Sequence, residues 1–344
     1  MIGTAPGSLA RAREAAGPAL REAVARLHPE VRRVAEYHLG FADATGAPVA
    51  GDGGKAVRPT LAMLAAEAVG RGAAPRGASG DWVPGAVAIE LVHDFSLLHD
   101  DVMDRDRERR HRPTAWALFG EPAAIVTGDA LMVAAQQELL GRSPTPARCR
   151  ATAELTDAAQ RMIAGQALDL AFESRTDVTV RECMAMLAGK TGALLSCACA
   201  LGAILAGGAE PAIDALRSFG LELGLAFQAI DDLLGIWGDP EVTGKPAAND
   251  LRQHKKSLPV VAALDSGTEA GRALADLLAH GALTEDQVQK AATLVEEAGG
   301  RAFAQGEAER RIDAARTCLE RADLDGGART ELLELAAFVT GRDF

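Results

Sequence analysis

Residues Gly85 to Asp104 read GAVAIELVHDFSLLHDDVMD, and residues Gly220 to Trp237 read GLELGLAFQAIDDLLGIW. Each is an apolar run of about five helical turns, and each carries an Asp-Asp pair. In the first, His93, Ser96, Asp100 and Asp104 are offset by three, seven and eleven residues and share one helical face, with Asp101 at its edge. In the second, Gly224, Gln228, Asp231 and Gly235 form one stripe, with Asp232 beside it. Carboxylates this close repel one another, and burying them uncompensated costs on the order of several kcal/mol or drives their pKa values up. Something cationic belongs between them. A hard divalent ion suits, because Asp oxygens at i and i+4 both reach a Mg²⁺ that keeps water or phosphate oxygens as its other ligands. A solvated helix end paired with Arg105, Arg107, Arg109 and Arg110 is the competing reading of the first cluster. Two Asp-Asp pairs, each embedded in an apolar helix, argue against two unrelated solvated faces.

Around these runs, Gly/Pro breaks separate Ala/Leu/Glu/Arg segments with apolar residues at spacings of three and four. This pattern predicts an all-α chain of about a dozen helices forming a single domain over residues 1–344, with helical patterning but no chemistry from about Ser266 on. The apolar run Ala193 to Gly207 is too short to span a bilayer and is rich in small residues, so a buried helix in close contact with its neighbours is expected.

The 344 residues carry 36 Lys+Arg against 48 Asp+Glu, a net charge of −12, which leaves no basic tract for a nucleic acid backbone. Five cysteines, at 149, 183, 197, 199 and 318, give neither an even disulfide framework nor a Cys-x-x-Cys metal site. The charged, Ala-rich start, Met1 to Leu20, lacks the order of a secretory signal, so a cytoplasmic location is expected.

Basic groups accompany the acidic helices. Lys55 and Arg58 follow the Gly53-Gly54 loop at a helix start, where backbone N–H groups also favour anions. Arg109, Arg110 and Arg112 follow the first Asp cluster. Lys190-Thr191-Gly192 interrupts an apolar helix, and Lys245, Lys255 and Lys256 follow the second Asp pair. The progression from acidic helix to basic loop therefore occurs twice.

Together these residues resemble the trans-isoprenyl diphosphate synthase (polyprenyl synthetase) family, the resemblance running from about Gly53 to Pro259. It implies a helical fold around a central cavity. It also implies condensation of isopentenyl diphosphate with an allylic diphosphate, three Mg²⁺ ions and a homodimer. Asp100, Asp101 and Asp104 match the first Asp-rich motif, and Asp231 and Asp232 the second. Lys55, Arg58, His93 and Arg110 match positions that hold isopentenyl diphosphate. Arg109, Lys190, Thr191, Gln228, Lys245 and Lys255 match those that grip the allylic diphosphate, and Gln166 and Asp169 resemble a further polar motif lining that cavity.

The chain departs from the family pattern at two places. The second motif usually ends in Asp, where this chain has Gly235; the last Asp acts largely through water in the family, which makes its loss survivable. Asp239 is a candidate replacement, although Gly238 and Pro240 suggest that the helix ends there. Ala248-Asn249 stands where the family usually has a Gly.

Phe95 lies five residues before Asp100, about 7 to 8 Å down the helix. A core position accounts for such a ring, but an aromatic there without a two-residue insertion in the first motif resembles the geranylgeranyl type and implies a C20 product. A terpene cyclase on the same fold, and a non-catalytic partner subunit, are the competing functions. The second set of anion-binding residues and the 4% aromatic content count against the cyclase, and the intact first motif against the subunit.

Overall fold

The apolar run around Ala193 folds as a helix with no polar face, and such a helix is stable only when others surround it. In the computed structural model, which describes residues 5–49, 54, 56–70, 80–239, 248–279 and 281–341, this helix, α9 (Ala193–Leu205), is buried from Ala193 through Ile204. The structure is all-α, as the periodicity predicts, with more than a dozen helices because several long runs are completed by short pieces.

The helices before α9 are α1 (Gly7–Ala25), α2 (Pro29–His38), α3 (Val57–Val69), α4 (Val83–Met103), α5 (Ala115–Phe119), α6 (Glu121–Leu140), α7 (Pro146–Glu173) and α8 (Val180–Leu187). After it come α10 (Glu210–Trp237), α11 (Asn249–Arg252), α12 (Leu258–Leu264), α13 (Glu269–Leu278), α14 (Glu285–Glu297), α15 (Gly300–Glu320) and α16 (Gly326–Thr340). A two-stranded ribbon, β1 (Glu108–Arg109) with β2 (Arg112–Pro113), pairs Arg109 with Arg112 and is the only sheet among the described residues.

Helices α3, α4, α7 and α10 wrap α9. The approach is close because the contacts use small residues: a Cβ at Gly202 would lie 2.7 Å from the Ala62 carbonyl carbon, so α9 and α3 meet main chain to main chain. Leu61, Ile89, Leu91, Leu98 and Phe219 fill the space between. By length and composition the run Val180–Leu205 is apolar enough to cross a membrane, but 78% of its apolar window is buried inside the protein, which marks it as a core helix. Helix α15 runs along α10, and Arg311 Nη1 donates to Glu222 at 2.9 Å to fasten them. The last third is thus a buttress for α10.

Candidate active site

The first acidic motif ends α4. Immediately beyond it Arg105 takes a left-handed conformation (φ 58°) and the chain folds back into the β1–β2 ribbon. Thr114 Oγ1 and Trp116 Nε1 each donate to the Asp106 carbonyl at 2.8 Å, fixing that return. As a result Arg109 reaches back to Asp101, with Nε at 2.8 Å and Nη2 at 2.7 Å from Oδ1. Asp101, placed by helical geometry at the edge of the stripe, is therefore the deepest of the three carboxylates, 1% exposed, with Oδ2 lacking a hydrogen-bond partner. Burial pushes the Asp100 carboxyl up to about 6; Asp104 and Asp169 add to the rise, and Lys190 and Arg109 oppose it. Burial also raises Asp104, against the pull of Lys190 and Lys255. Burial is the larger effect on both carboxyls, with Lys190 the chief opposing charge.

The facing wall is the C-terminal half of α10. Asp232, 1% exposed, accepts from Gln228 Nε2 and from the Leu258 backbone N–H, each at 2.8 Å. Burial pushes it up to about 6, Asp250 adds to the rise, and Lys255 opposes it. Asp231, beside it on the same turn, is exposed. Burial disfavours the Lys255 ammonium, yet Asp250, Asp232, Asp169 and Asp231 outweigh that cost and raise its pKa. Because Lys255 also acts on Asp104, the charge field of one ammonium joins the two Asp motifs. The helix ends at Trp237 and Gly238 is extended, which takes Asp239 off the stripe.

A third element closes the side of the gap. The Thr179–Glu182 capping box starts α8, which runs through a π-helical turn, Ala188–Gly192, into α9. Such single π turns in longer helices are frequent at functional sites. A Cβ at Gly165 would stand 2.8 Å from the Gly189 carbonyl carbon and 2.9 Å from Lys190 Cα, so α7 and the π turn touch without side chains between them. One turn on, Asp169 Oδ2 meets Lys190 Nζ at 2.5 Å. Thr191 Oγ1 donates to Gln228 Oε1 at 2.7 Å, linking the π turn to the α10 wall. Both amide atoms of Gln166 are buried without a partner.

A second anion-favouring region lies behind the first motif. Arg58, near the start of α3, and Arg110 both press on His93, whose pKa falls well below the usual range through burial and the surrounding Arg58, Arg110 and Arg109. Arg110 and His111 are left-handed (φ 53° and 60°), a turn that asks for Asn or Gly; here two basic side chains hold it. A cavity of about 460 Å³ adjoins this region, lined by Tyr37, His38, Gly54, Asp101, Arg109 and Arg110 among others. Glu90 and Asp94 were not singled out from sequence, although two acids four residues apart in an apolar helix were a legible signal. Both are buried beside Arg58, and burial with Asp94 as neighbour pushes Glu90 up to about 7. Lys55 and Lys245 lie outside the described residues. Phe95, on α4, is in the core, edge-on to His99 of the same helix at 4.8 Å.

The donor set suits a hard divalent ion: carboxylate oxygens from two walls, whose charged form burial disfavours at Asp100 and Asp232, and an unpartnered Asp101 oxygen. Among the described residues no three His, Cys, Asp or Glu side chains form a cage by themselves. An ion held here would take one or two carboxylates and complete its shell with water and phosphate oxygens, the habit of Mg²⁺.

A sequence profile described as Polyprenyl synthetase matches residues 45–295. The (2E,6E)-farnesyl diphosphate synthase of Mycobacterium tuberculosis (strain ATCC 25618 / H37Rv) is 45% identical over 338 residues, covering 97% of this chain and 92% of that protein. The geranylgeranyl diphosphate synthase of the same organism is 43% identical over 348 residues, covering 99% and 97%. The crystal structure of a polyprenyl synthetase from Streptomyces coelicolor A3(2) superposes with a TM-score of 0.90 at 50% identity, covering 96% of this chain and 98% of that one. Two further similar structures, at 26% and 25% identity, hold isoprenyl diphosphate together with calcium in one and magnesium in the other. The chain belongs to the polyprenyl synthetase family, and it is a trans-prenyltransferase.

Proposed function

We propose that this enzyme, one helical domain across residues 1–344, extends an allylic diphosphate with isopentenyl diphosphate to the C20 product, geranylgeranyl diphosphate, using Mg²⁺. The observation that carries the reading is the pair of acidic walls, Asp100/Asp104 and Asp231/Asp232, sharing Lys255 as a common neighbour. Bound between the walls, three Mg²⁺ would offset the negative charge that builds on the departing diphosphate. Lys190, Lys255 and Arg109, with Thr191 and Gln228, orient the allylic diphosphate, as would Lys245. Arg58, Arg110 and His93, with Lys55, hold isopentenyl diphosphate in the second region, its double bond toward the allylic carbon. The neutral imidazole of His93 donates a hydrogen bond without adding charge. Reaction in such a site requires that water, which would trap the allylic cation, be excluded once both diphosphates are bound. After the new carbon–carbon bond forms, the released diphosphate takes the proton, so no carboxylate base is required.

A second anion region is what a cyclase does not need, and the intact first motif supports turnover by this chain itself. The aromatic Phe95 five residues before Asp100, as in the geranylgeranyl type, supports the C20 length. The similarity to a farnesyl diphosphate synthase favours C15 as the second reading. Incubation with Mg²⁺, isopentenyl diphosphate and C5, C10 or C15 allylic diphosphates tests both. Accumulation of the C20 diphosphate is expected; a C15 end product overturns the length, and no consumption of isopentenyl diphosphate overturns the transferase.

The same reading includes a homodimer. Val126, Val133 and Leu140 recur every seven residues along α6, with Val126 and Val133 55% and 57% exposed, beside exposed Ile125 and Leu118. Light scattering at twice the monomer mass is the expected result. The five free cysteines suit a reducing compartment such as the cytoplasm.

A further inference from the structure

We infer that Arg13, on the first helix, is a positioning residue for isopentenyl diphosphate: it holds Gly54 in place, and Gly54 in turn seats the Arg110 guanidinium. The inference rests on the reading of the second anion-favouring region as the isopentenyl diphosphate site. Arg13 Nη2 donates to the Gly54 carbonyl at 2.8 Å across 41 residues of sequence. Gly54 also meets Arg110: a Cβ built at Gly54 would lie 3.2 Å from both Nη1 and Nη2 of that guanidinium and 3.5 Å from its Cζ. The guanidinium therefore rests against the Gly54 main chain, on ground that a side chain would narrow.

This contact needs an outside anchor. Gly54 (φ 100°) and Ala56 (φ 53°) are both left-handed, a path that alanine follows only at a cost, and Arg110 (φ 53°) is left-handed as well. Such conformations persist where the surroundings over-determine them. Thr60 Oγ1 donates to the Ala56 carbonyl at 2.7 Å and ties that residue to α3. Arg13 ties Gly54 to α1, which is fixed to the core by buried Ala12 and Ala16. Gly54 and Arg110 line the cavity of about 460 Å³, and Arg13 does not, so Arg13 acts on it through the glycine. The two neighbouring arginines of the ribbon thus have different supports: Arg109 is held by the Asp101 carboxylate, and Arg110 by a peptide that α1 holds.

The test is calorimetric titration of the full-length protein with isopentenyl diphosphate, in the presence of Mg²⁺ and an unreactive thio analogue of the allylic diphosphate. Titration with the analogue and Mg²⁺ alone, thermal melting and prenyl-transfer assays accompany it. Arg13→Ala is expected to weaken isopentenyl diphosphate binding about tenfold, as loss of one charge-assisted hydrogen bond would, while binding of the analogue stays within about twofold. In an Arg110→Ala background the same change is expected to cost less than about twofold, because the group that Arg13 places is gone. Should Arg13→Ala melt early, Arg13→Lys, which keeps a donor without the planar fork, is expected to lose about threefold with the same selectivity. The inference is overturned if Arg13→Ala binds isopentenyl diphosphate as the parent does, or if it loses both ligands by one factor. It is also overturned if the losses at Arg13 and Arg110 multiply, which would mean that Arg13 meets the ligand directly. A parent protein that binds isopentenyl diphosphate without transferring prenyl groups would instead refute the proposed function and leave the binding comparison standing.

Discussion

Lys190 Nζ stands 2.5 Å from Asp169 Oδ2, one helical turn from the point where Gly165 of α7 meets the π turn main chain to main chain. The helix crossing and the ion pair are one device: the crossing sets the height of the π turn, and the pair fixes the ammonium that faces Asp100 and Asp104.

Asp169→Ala frees Lys190 from its partner, and kcat/KM for the allylic diphosphate should fall about 10- to 100-fold. Gly165→Ala forces the crossing apart, costing about 1–3 kcal/mol and lowering the same kcat/KM. Steady-state kinetics and thermal melting read both; an unchanged kcat/KM in Asp169→Ala would show that Lys190 needs no anchor.

Asp100→Asn trades stability for function. A carboxyl raised from 3.8 to about 6 keeps its proton to higher pH in the folded chain than in the unfolded one. The stability this provides is complete below pH 4 and is lost as pH rises from about 4 to about 6. The metal-free Asn variant should therefore gain on the parent across that window, by on the order of 1–2 kcal/mol after allowing for solvent screening. Its turnover should fall at least about a hundredfold. Mg²⁺ with pyrophosphate should raise the parent's melting temperature more at pH 7.5 than at pH 5.5, since protons compete for the same oxygens.

Phe95→Ala removes a buried ring, 8% exposed, and should destabilise the protein by about 3–5 kcal/mol. Space opened beneath Asp100 should shift products beyond C20, read by chromatography of the dephosphorylated alcohols. An unchanged product would make Phe95 core alone.

Ala248→Gly removes a left-handed alanine (φ 55°), strain worth about 1–2 kcal/mol, partly offset by the added freedom of glycine in the unfolded chain. A net gain of about 0.5–1 kcal/mol is expected by denaturant unfolding.

The helices and the buried α9 were legible because periodicity leaves marks in local sequence. What escaped depends on turns. Helical spacing placed Asp101 at an edge, but the left-handed Arg105 swings Arg109 underneath it and reverses the order of depth. That Asp250 lies against Gly235 depends on α11 folding back over α10, which the local sequence does not show. The burial of Glu90 and Asp94 beside Arg58 depends on how α3 lies on α4, which no single helix announces.

Where Gly202 rests on Ala62 and Gly165 on the π turn, peptide planes set the distance between helices, leaving mutation nothing there to shave away. The spacings of α9 from α3 and of α7 from the π turn are therefore fixed. Under the proposed function, changes in product length would fall to side chains elsewhere in the fold, with the main-chain contact beside Lys190 left as it is.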